Sequence, residues 1–359
     1  MKEAINIFYM GKGGVGKSTT AALNSLFLAR EGFKVLLVSL DPAHNQSDIF
    51  KSRFSDKPKQ IIPGLKALEI DQEYWIRKYL KDVHEQINRT YSYLTSFNLE
   101  KYFKVIRYSP GLEEYALLLA FKEVRRKYSR SDFLVFDMAP TALSLKFFNL
   151  PSLSLVWINH LLALRKEIIK KRELITKVRL LKKEIETDKV LSRVERSLED
   201  YTALKELFED SGKTQINLVL NPDQLSLAES LRIVNELKGI DISLRRIIIN
   251  KMRQDSPLED IYKAFKEIPA LCLPFSETPL IGLDTLTRFL ERNHEYPWFL
   301  IARSHRSQRP LFGSDFFKWK NQIHPVFAYS AISYGLWIFQ SRMKRNEMAE
   351  IKSINLDGN

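Results

Sequence analysis

Apolar positions along the chain follow two rhythms. Short unbroken apolar runs occur at Ile5 to Met10, in "KVLLVSLDP" up to Asp41-Pro42, and at Lys66–Ile70, Phe133–Asp137, Ile216–Leu220 and Arg246–Asn250. A shorter one lies near Leu271–Leu273. Runs without alternation predict strands buried on both faces, which is the condition of a parallel sheet. Between the first two, "TTAALNSLFLAREG" predicts a helix closed by Gly32. A strand, loop, helix, strand opening of this kind defines an α/β class with a doubly wound, mostly parallel sheet and helices on both faces.

Two stretches break that rhythm with helical periodicity. Gln72 to about Phe103 is rich in tyrosine and charge, and Leu153 to Asp210 carries no strand signal. Within the second, Leu174, Val178, Leu181 and Ile185 form one stripe. After a break around Thr187-Asp188, Leu191, Val194, Leu198, Tyr201, Leu204 and Phe208 form another. Each stripe needs a surface to cover it. The helices either pack on one another and on the sheet or present a groove to an apolar partner helix.

From about Asn293 the chain turns aromatic and basic. The division expected is a domain over residues 1–292, with helical insertions at about 71–104 and 153–210, and a C-terminal extension over 293–359. No run of 18 uninterrupted apolar residues appears, and "VFAYSAISYGLWIF", Val326 to Phe339, comes nearest. Within the extension Ile332, Leu336, Phe339 and Met343 share a helical face beside Trp337, followed by Arg342, Lys344 and Arg345. That is the pattern of a helix lying on an anionic membrane surface, or of one folded back on its own core.

Composition narrows the partners. The 359 residues carry a formal net charge of +13, which favours an acidic partner such as a nucleotide, a nucleic acid or an anionic membrane. No nucleic-acid motif accompanies the charge, so nucleic acid is not expected. A single cysteine, Cys272, excludes an intrachain disulfide and a thiolate-rich metal site within one chain. The first strand follows the initiator methionine with no leader between, so the cytoplasm is the expected compartment.

The chemistry sits in "GKGGVGKSTT", residues 11–20, between the first strand and the first helix. Gly13, Gly14 and Gly16 let the backbone turn its N–H groups inward around phosphate oxygens, and the helix adds its positive end. Lys17 is placed to reach β- and γ-phosphates and Ser18 to ligate Mg²⁺. Hydrolysis also needs a carboxylate for the metal and one for the attacking water. Asp137 ends "FLVFD" and suits the metal; Asp41 ends "VSLD" and suits the water. Both fall at the carboxyl ends of predicted strands, where open parallel sheets bind ligands.

"GKGGVGKST", "DPAHNQSD" and "DMAPTALSLKFFNLP" together resemble the loop and two switches of the arsenical pump-driving ATPase family, which includes the cytosolic targeting ATPase for tail-anchored membrane proteins. "SPGLEEYALLLAF", "VLNPDQLSLAESLRIVNELKGIDISLRRIIINK" and "LPFSETPLIGLDTLTRF" extend the likeness to roughly residue 292. The resemblance implies a Mg²⁺-dependent ATPase whose ATP is lined by Gly11, Lys12, Gly13, Gly14, Val15, Gly16, Lys17, Ser18 and Thr19. Asn250 would read the adenine edge, and Pro274 and Phe275 would flank the base. It also implies a homodimer in which Lys12 crosses the two-fold interface to the partner's phosphates, making Lys12, Lys17 and Asp41 the catalytic set. The insertions correspond to the family's client-binding subdomain, so a membrane-protein client is the expected partner. Docking on a membrane pump, or positioning on a membrane surface as in the related MinD class, are the alternatives.

This chain departs from that pattern in three places. Ala142-Leu143 replaces the glycine and histidine usual in the second switch. The Cys-x-x-Cys that joins two subunits through zinc is missing, as are the thiolates that would bind arsenite, so no zinc is expected. Methionine, a pliable lining for a promiscuous groove, is missing from the insertions.

Overall fold

A computed structural model describes residues 3–90, 109, 111–178 and 189–293. The chain divides into two units, 1–298 and 299–359, and the described residues all lie in the first. Expectations for Leu181, Ile185 and the Thr187-Asp188 break, for the side chains of Leu174 and Val178, and for the extension with its Ile332, Leu336, Phe339 and Met343 face therefore fall outside the described residues.

Eight strands form one sheet: β1 (Ile5–Met10), β2 (Val35–Ser39), β3 (Lys59–Ile62), β4 (Leu65–Glu69), β5 (Phe133–Asp137), β6 (Thr214–Leu220), β7 (Leu244–Met252) and β8 (Ala270–Pro274). Their order is β3-β4-β2-β5-β1-β6-β7-β8, every pair parallel except β3 with β4. β1 lies centrally, and every residue of β1, β2 and β5 is buried, as their unbroken apolar runs predict. The sequence reading did not include β3. Its residues are half-exposed to exposed and it runs antiparallel at the sheet edge, so it carries no continuous apolar signal.

The helices are α1 (Lys17–Arg30), α2 (Asn45–Phe50), α3 (Gln72–Thr90), α4 (Leu112–Lys127), α5 (Thr141–Val178), α6 (Lys189–Glu209), α7 (Gln224–Lys238), α8 (Glu259–Ala264) and α9 (Leu283–Arg292). On one face of the sheet Phe8 (β1) and Phe136 (β5) meet Phe121 (α4), Phe147 and Phe148 (α5) and Phe208 (α6), all fully or nearly fully buried. Neighbouring ring centroids lie 4.8 to 6.2 Å apart in tilted, edge-on and stacked pairs. This aromatic cluster fixes the base of α5 to the sheet.

α5 begins at Thr141, inside the second switch, rather than near Leu153 as the periodicity suggests. Pro151 lies within it, buried, and removes one backbone donor without ending the helix. Beyond Pro151 the helix leaves the core. Leu153, Val156, Trp157, Leu161, Leu164 and Ile168 are 45 to 71% exposed. With Val156 and Trp157 adjacent and the other steps of three or four residues, they make one apolar face about 22 Å long. Thr141–Lys171 is long and apolar enough to cross a membrane by length and composition alone, although the sequence search for uninterrupted runs passed over it. The stripe on α6 has the other fate: Leu191, Val194, Leu198 and Tyr201 are half-buried, Leu204 and Phe208 buried. It packs, whereas the α5 stripe does not.

Candidate nucleotide site

The carboxyl ends of β1, β2, β5, β6 and β7 converge on the loop of residues 11–16. Gly11 is in a positive-φ conformation and packed so tightly that a Cβ would lie 2.2 Å from the Val219 carbonyl of β6. Gly16 (φ +96°) caps α1, and a Cβ there would meet the Asn250 amide nitrogen at 2.3 Å. Between them Gly13 and Gly14 are exposed and open, with nothing within 4 Å of a built Cβ. The loop is anchored at both feet and bare at the crown, which is where an incoming phosphate needs backbone N–H groups. Val15 is buried beneath it, and Thr19 is half-buried in the first turn of α1.

Two successive residues at the end of β7 brace the loop from outside. Asn250 donates its amide to the Val15 carbonyl at 2.8 Å, and the Lys251 ammonium donates to the Gly14 carbonyl at 3.0 Å. Lys251 takes a left-handed backbone (φ +56°) where the β7–β8 register shifts. The sequence reading assigned Asn250 to a base edge; the structure places its amide nitrogen on the loop. Pro274 ends β8 half-buried, and Phe275 is exposed with the Arg253 guanidinium 4.1 Å from its ring centroid. The sequence did not reveal this cation–π contact.

Lys17 is 5% exposed and donates to the Lys12 carbonyl at 3.3 Å. Burial lowers its ammonium below the ordinary lysine value, opposed by the carboxylates of Asp137, Asp41 and Glu229. Lys12 itself is half-buried, and its ammonium makes no ion pair or hydrogen bond among the described residues. Asp41 is buried at the end of β2 and accepts from the Ala43 N–H at 3.0 Å. Its strand neighbour β5 ends in Asp137, which is fully buried.

Asp137 tests the fit of a divalent cation. One carboxylate oxygen accepts from the Gln46 amide at 2.9 Å, and the Ser18 hydroxyl also contacts the group. The other oxygen, Oδ1, is buried without a partner. Burial pushes the carboxyl up to about 6, with the hydrogen bonds of Gln46 and Ser18 pulling against it. A buried carboxylate with a spare oxygen beside a hydroxyl suits the hydrated, partly protein-ligated sphere of Mg²⁺. No cluster of three or more His, Cys, Asp or Glu exists among the described residues, and Mg²⁺ at a phosphate site does not need one.

Gln46, Glu69 and Glu229 are the residues sequence reasoning missed. Gln46 is completely buried and also donates to the Ser18 carbonyl at 3.0 Å, joining the first switch to the loop. Glu69, at the end of β4, accepts from the Ser47 N–H and hydroxyl at 2.7 and 2.6 Å and so caps α2. Gln46 stood inside the "DPAHNQSD" string, but its partners come from distant elements, which spacing does not disclose.

A glycine loop between β1 and α1, with strand-end carboxylates opposite, defines a nucleotide-hydrolysing P-loop protein. The profile of the family described as "Anion-transporting ATPase" matches residues 5–293, and the chain belongs to that family. It is similar to the "Putative arsenical pump-driving ATPase 2" of Aquifex aeolicus (strain VF5), at 29% identity over 79% of this chain and 96% of that one. It is similar also to "ATPase ASNA1 homolog 1" of Paramecium tetraurelia, at 28% over 79% and 91%. With "ATPase ARSA2" of Chlamydomonas reinhardtii it shares 29% over 80% and 83%. ATP hydrolysis is the activity of this family, and a nucleotide is the substrate.

Proposed function

We propose that the protein is a Mg²⁺-dependent ATPase that works as a homodimer and uses its nucleotide state to control an apolar client surface on α5. One observation carries the reading. The helix that starts four residues after Asp137 is the same helix whose far half exposes Leu153, Val156, Trp157, Leu161, Leu164 and Ile168. Exposed apolar area of this extent on a helix marks a docking face. Membrane-protein segments, served from the cytoplasmic side of a membrane, are the clients such a face fits.

Within this reading the loop residues hold the triphosphate, Lys17 contacts the β- and γ-phosphates, and Asp41 orients the attacking water. Ser18 and Asp137 would hold Mg²⁺, which would shield charge on the transferring phosphoryl group. Lys12, with no partner among the described residues of its own chain, reaches the phosphates of the second subunit. A cation delivered across the interface couples turnover to dimer closure. Phe275 and Pro274 flank the base.

The test is a fluorescent peptide carrying a single transmembrane segment, titrated with Mg²⁺ and either ADP or a non-hydrolysable ATP analogue. Nucleotide-dependent affinity, weakened at least ten-fold by Leu161→Ser with Leu164→Ser, is expected for about two buried leucines. Affinity indifferent to both nucleotide and substitution sinks the client reading.

A pump-driving role is the second reading, supported by the family description and the Aquifex relative. A thiolate trigger for it has no support here. Cys272 is the chain's one cysteine, lies 3% exposed in β8, and sits 3.5 Å from the Tyr262 hydroxyl.

A further inference from the structure

The glycine loop is held by its carbonyl groups. A trans peptide is planar, so its C=O and N–H point in opposite directions. Holding one carbonyl from outside the loop therefore turns the N–H of the next residue inward. The Gly14 carbonyl accepts from the Lys251 ammonium at 3.0 Å and the Val15 carbonyl from the Asn250 amide at 2.8 Å. The Gly16 carbonyl accepts from the Thr20 N–H and hydroxyl at 2.9 and 2.8 Å.

These ties differ in what else supports them. Gly16 is wedged against Asn250, and its carbonyl belongs to the first turn of α1. Gly14 has no such packing: its φ is +78°, and nothing lies within 4 Å of a built Cβ. A peptide that begins at a glycine rotates at little steric cost. The Lys251 bond is what selects one orientation for it. The backbone is shaped to deliver that ammonium. Lys251 holds φ +56°, a left-handed conformation that side chains disfavour, where the β7–β8 register shifts between Ile249 and Met252. Past the shift, pairing resumes at Met252 with Pro274, and the Met252 carbonyl accepts from the Phe275 N–H at 2.8 Å. Such irregularities re-aim a side chain, here from the sheet onto the loop, and strain of this kind persists where neighbours impose it.

We propose that Lys251 is a positioning residue of the nucleotide site, which sets the Gly14–Val15 peptide so that the Val15 N–H faces the phosphates. This rests on the reading that a nucleotide occupies the loop, and adds how its bare crown is pre-organised. Backbone N–H groups of such a loop cradle α- and β-phosphates. Lys17 must leave the Lys12 carbonyl to reach a phosphate, whereas Lys251 binds from outside and stays. An N–H already in place spares the ordering cost of binding. ADP carries both phosphates, so ADP and ATP gain alike.

Three substitutions separate positioning from a bond that serves only the fold. Lys251→Met keeps the stem and deletes the donor. Lys251→Arg restores a cationic donor. Lys251→Gly deletes the donor but relaxes the left-handed backbone, so affinity and stability should part company.

The experiment titrates the full chain, isotopically labelled at valine nitrogen, with ADP in the presence of Mg²⁺. It reads the Val15 amide proton by NMR, the affinity by calorimetry and the Tm without nucleotide. In the wild type and Lys251→Arg, ADP moves the Val15 signal downfield, as a new hydrogen bond to phosphate requires. In Lys251→Met that shift is at least halved and ADP and ATP affinities fall roughly five- to ten-fold, the loss of one charge-assisted bond. Lys251→Gly binds as weakly as the methionine variant, with a Tm no lower than wild type. A full Val15 shift and full affinity in Lys251→Met, no rescue by arginine, or a Tm that falls with affinity in Lys251→Gly overturns the inference alone. If ADP binds the wild type without moving Val15, the nucleotide-site reading fails and the inference with it.

Discussion

Gln46 donates its side-chain amide to Asp137 at 2.9 Å, holding one carboxylate oxygen and leaving the other, buried, without a partner. The two residues follow neighbouring strands, one in the first switch after β2 and one at the end of β5. Their bond fixes which face of the carboxylate is available. A charge-assisted bond of this kind is about twice as strong as a neutral one. Gln46→Leu keeps the volume and removes the donor. Mg²⁺-stimulated hydrolysis is expected to fall about ten-fold, with a raised Mg²⁺ requirement, for a loss of about 1.4 kcal/mol in positioning. A magnesium titration of turnover checks it. Unchanged Mg²⁺ dependence would remove Gln46 from the site.

The same carboxylate makes stability depend on pH. Asp137 has its folded pKa pushed up to about 6 by burial, above an unfolded value of 3.8. A raised acid is stabilising below its unfolded pKa, and that contribution is lost as pH rises through the folded value. In metal-free protein on the order of 3 kcal/mol disappears between about pH 4 and pH 7. Asp137→Asn should therefore raise the Tm of metal-free protein at pH 7.5 and give no gain at pH 4. Mg²⁺ should stabilise the wild type at pH 7.5 and lose that effect below pH 6, as protons compete for the carboxylate. Thermal melts at the two pH values, with and without Mg²⁺, check both statements.

How much of this was legible before the structure depends on the kind of signal. The central strands and the loop read directly, because a strand buried on both faces and a phosphate cradle leave local patterns. β3 did not, since Lys59–Ile62 is placed by its pairing with β4 rather than by its own composition. α5 was read as starting near Leu153 from its helical pattern, yet the helix begins at Thr141 and runs through Pro151. Helical period alone does not say what a stripe faces: the α6 stripe is covered, and the one from Leu153 to Ile168 is bare. The partners of Asp137 and Thr141 come through space from Gln46 and Glu229, 91 and 88 positions away respectively.

Gly16 has no room for a side chain. A Cβ would lie 2.3 Å from the Asn250 amide, and φ is +96°. Gly16→Ala should weaken ATP binding more than ten-fold by dislodging the Asn250 brace, because a strained φ and a clash act together. The fold should survive, with Tm lowered by a few degrees. Isothermal titration with ATP and a thermal melt separate the two effects, and retained affinity would show that the loop does not need this brace.

The base of α5 is where the aromatic core should be felt most. Phe147 is fully buried against Phe8, Phe121, Phe148 and Phe208. Phe147→Ala should cost about 3 to 5 kcal/mol, and Phe147→Leu clearly less. Urea denaturation measures both. A loss under 1 kcal/mol for the alanine would mean that the helix base is not anchored by the cluster.

The account turns on whether Lys12 serves a neighbour's phosphates, and complementation reads that directly. Lys12→Ala and Asp41→Asn proteins, each inactive alone, are mixed under conditions of subunit exchange. A lysine acting across the interface restores one working site in every mixed dimer, so hydrolysis should recover to roughly a quarter of wild type at equal ratio. A lysine acting within its own chain leaves both sites of the mixed dimer defective. Verified exchange without any recovery would contradict the account.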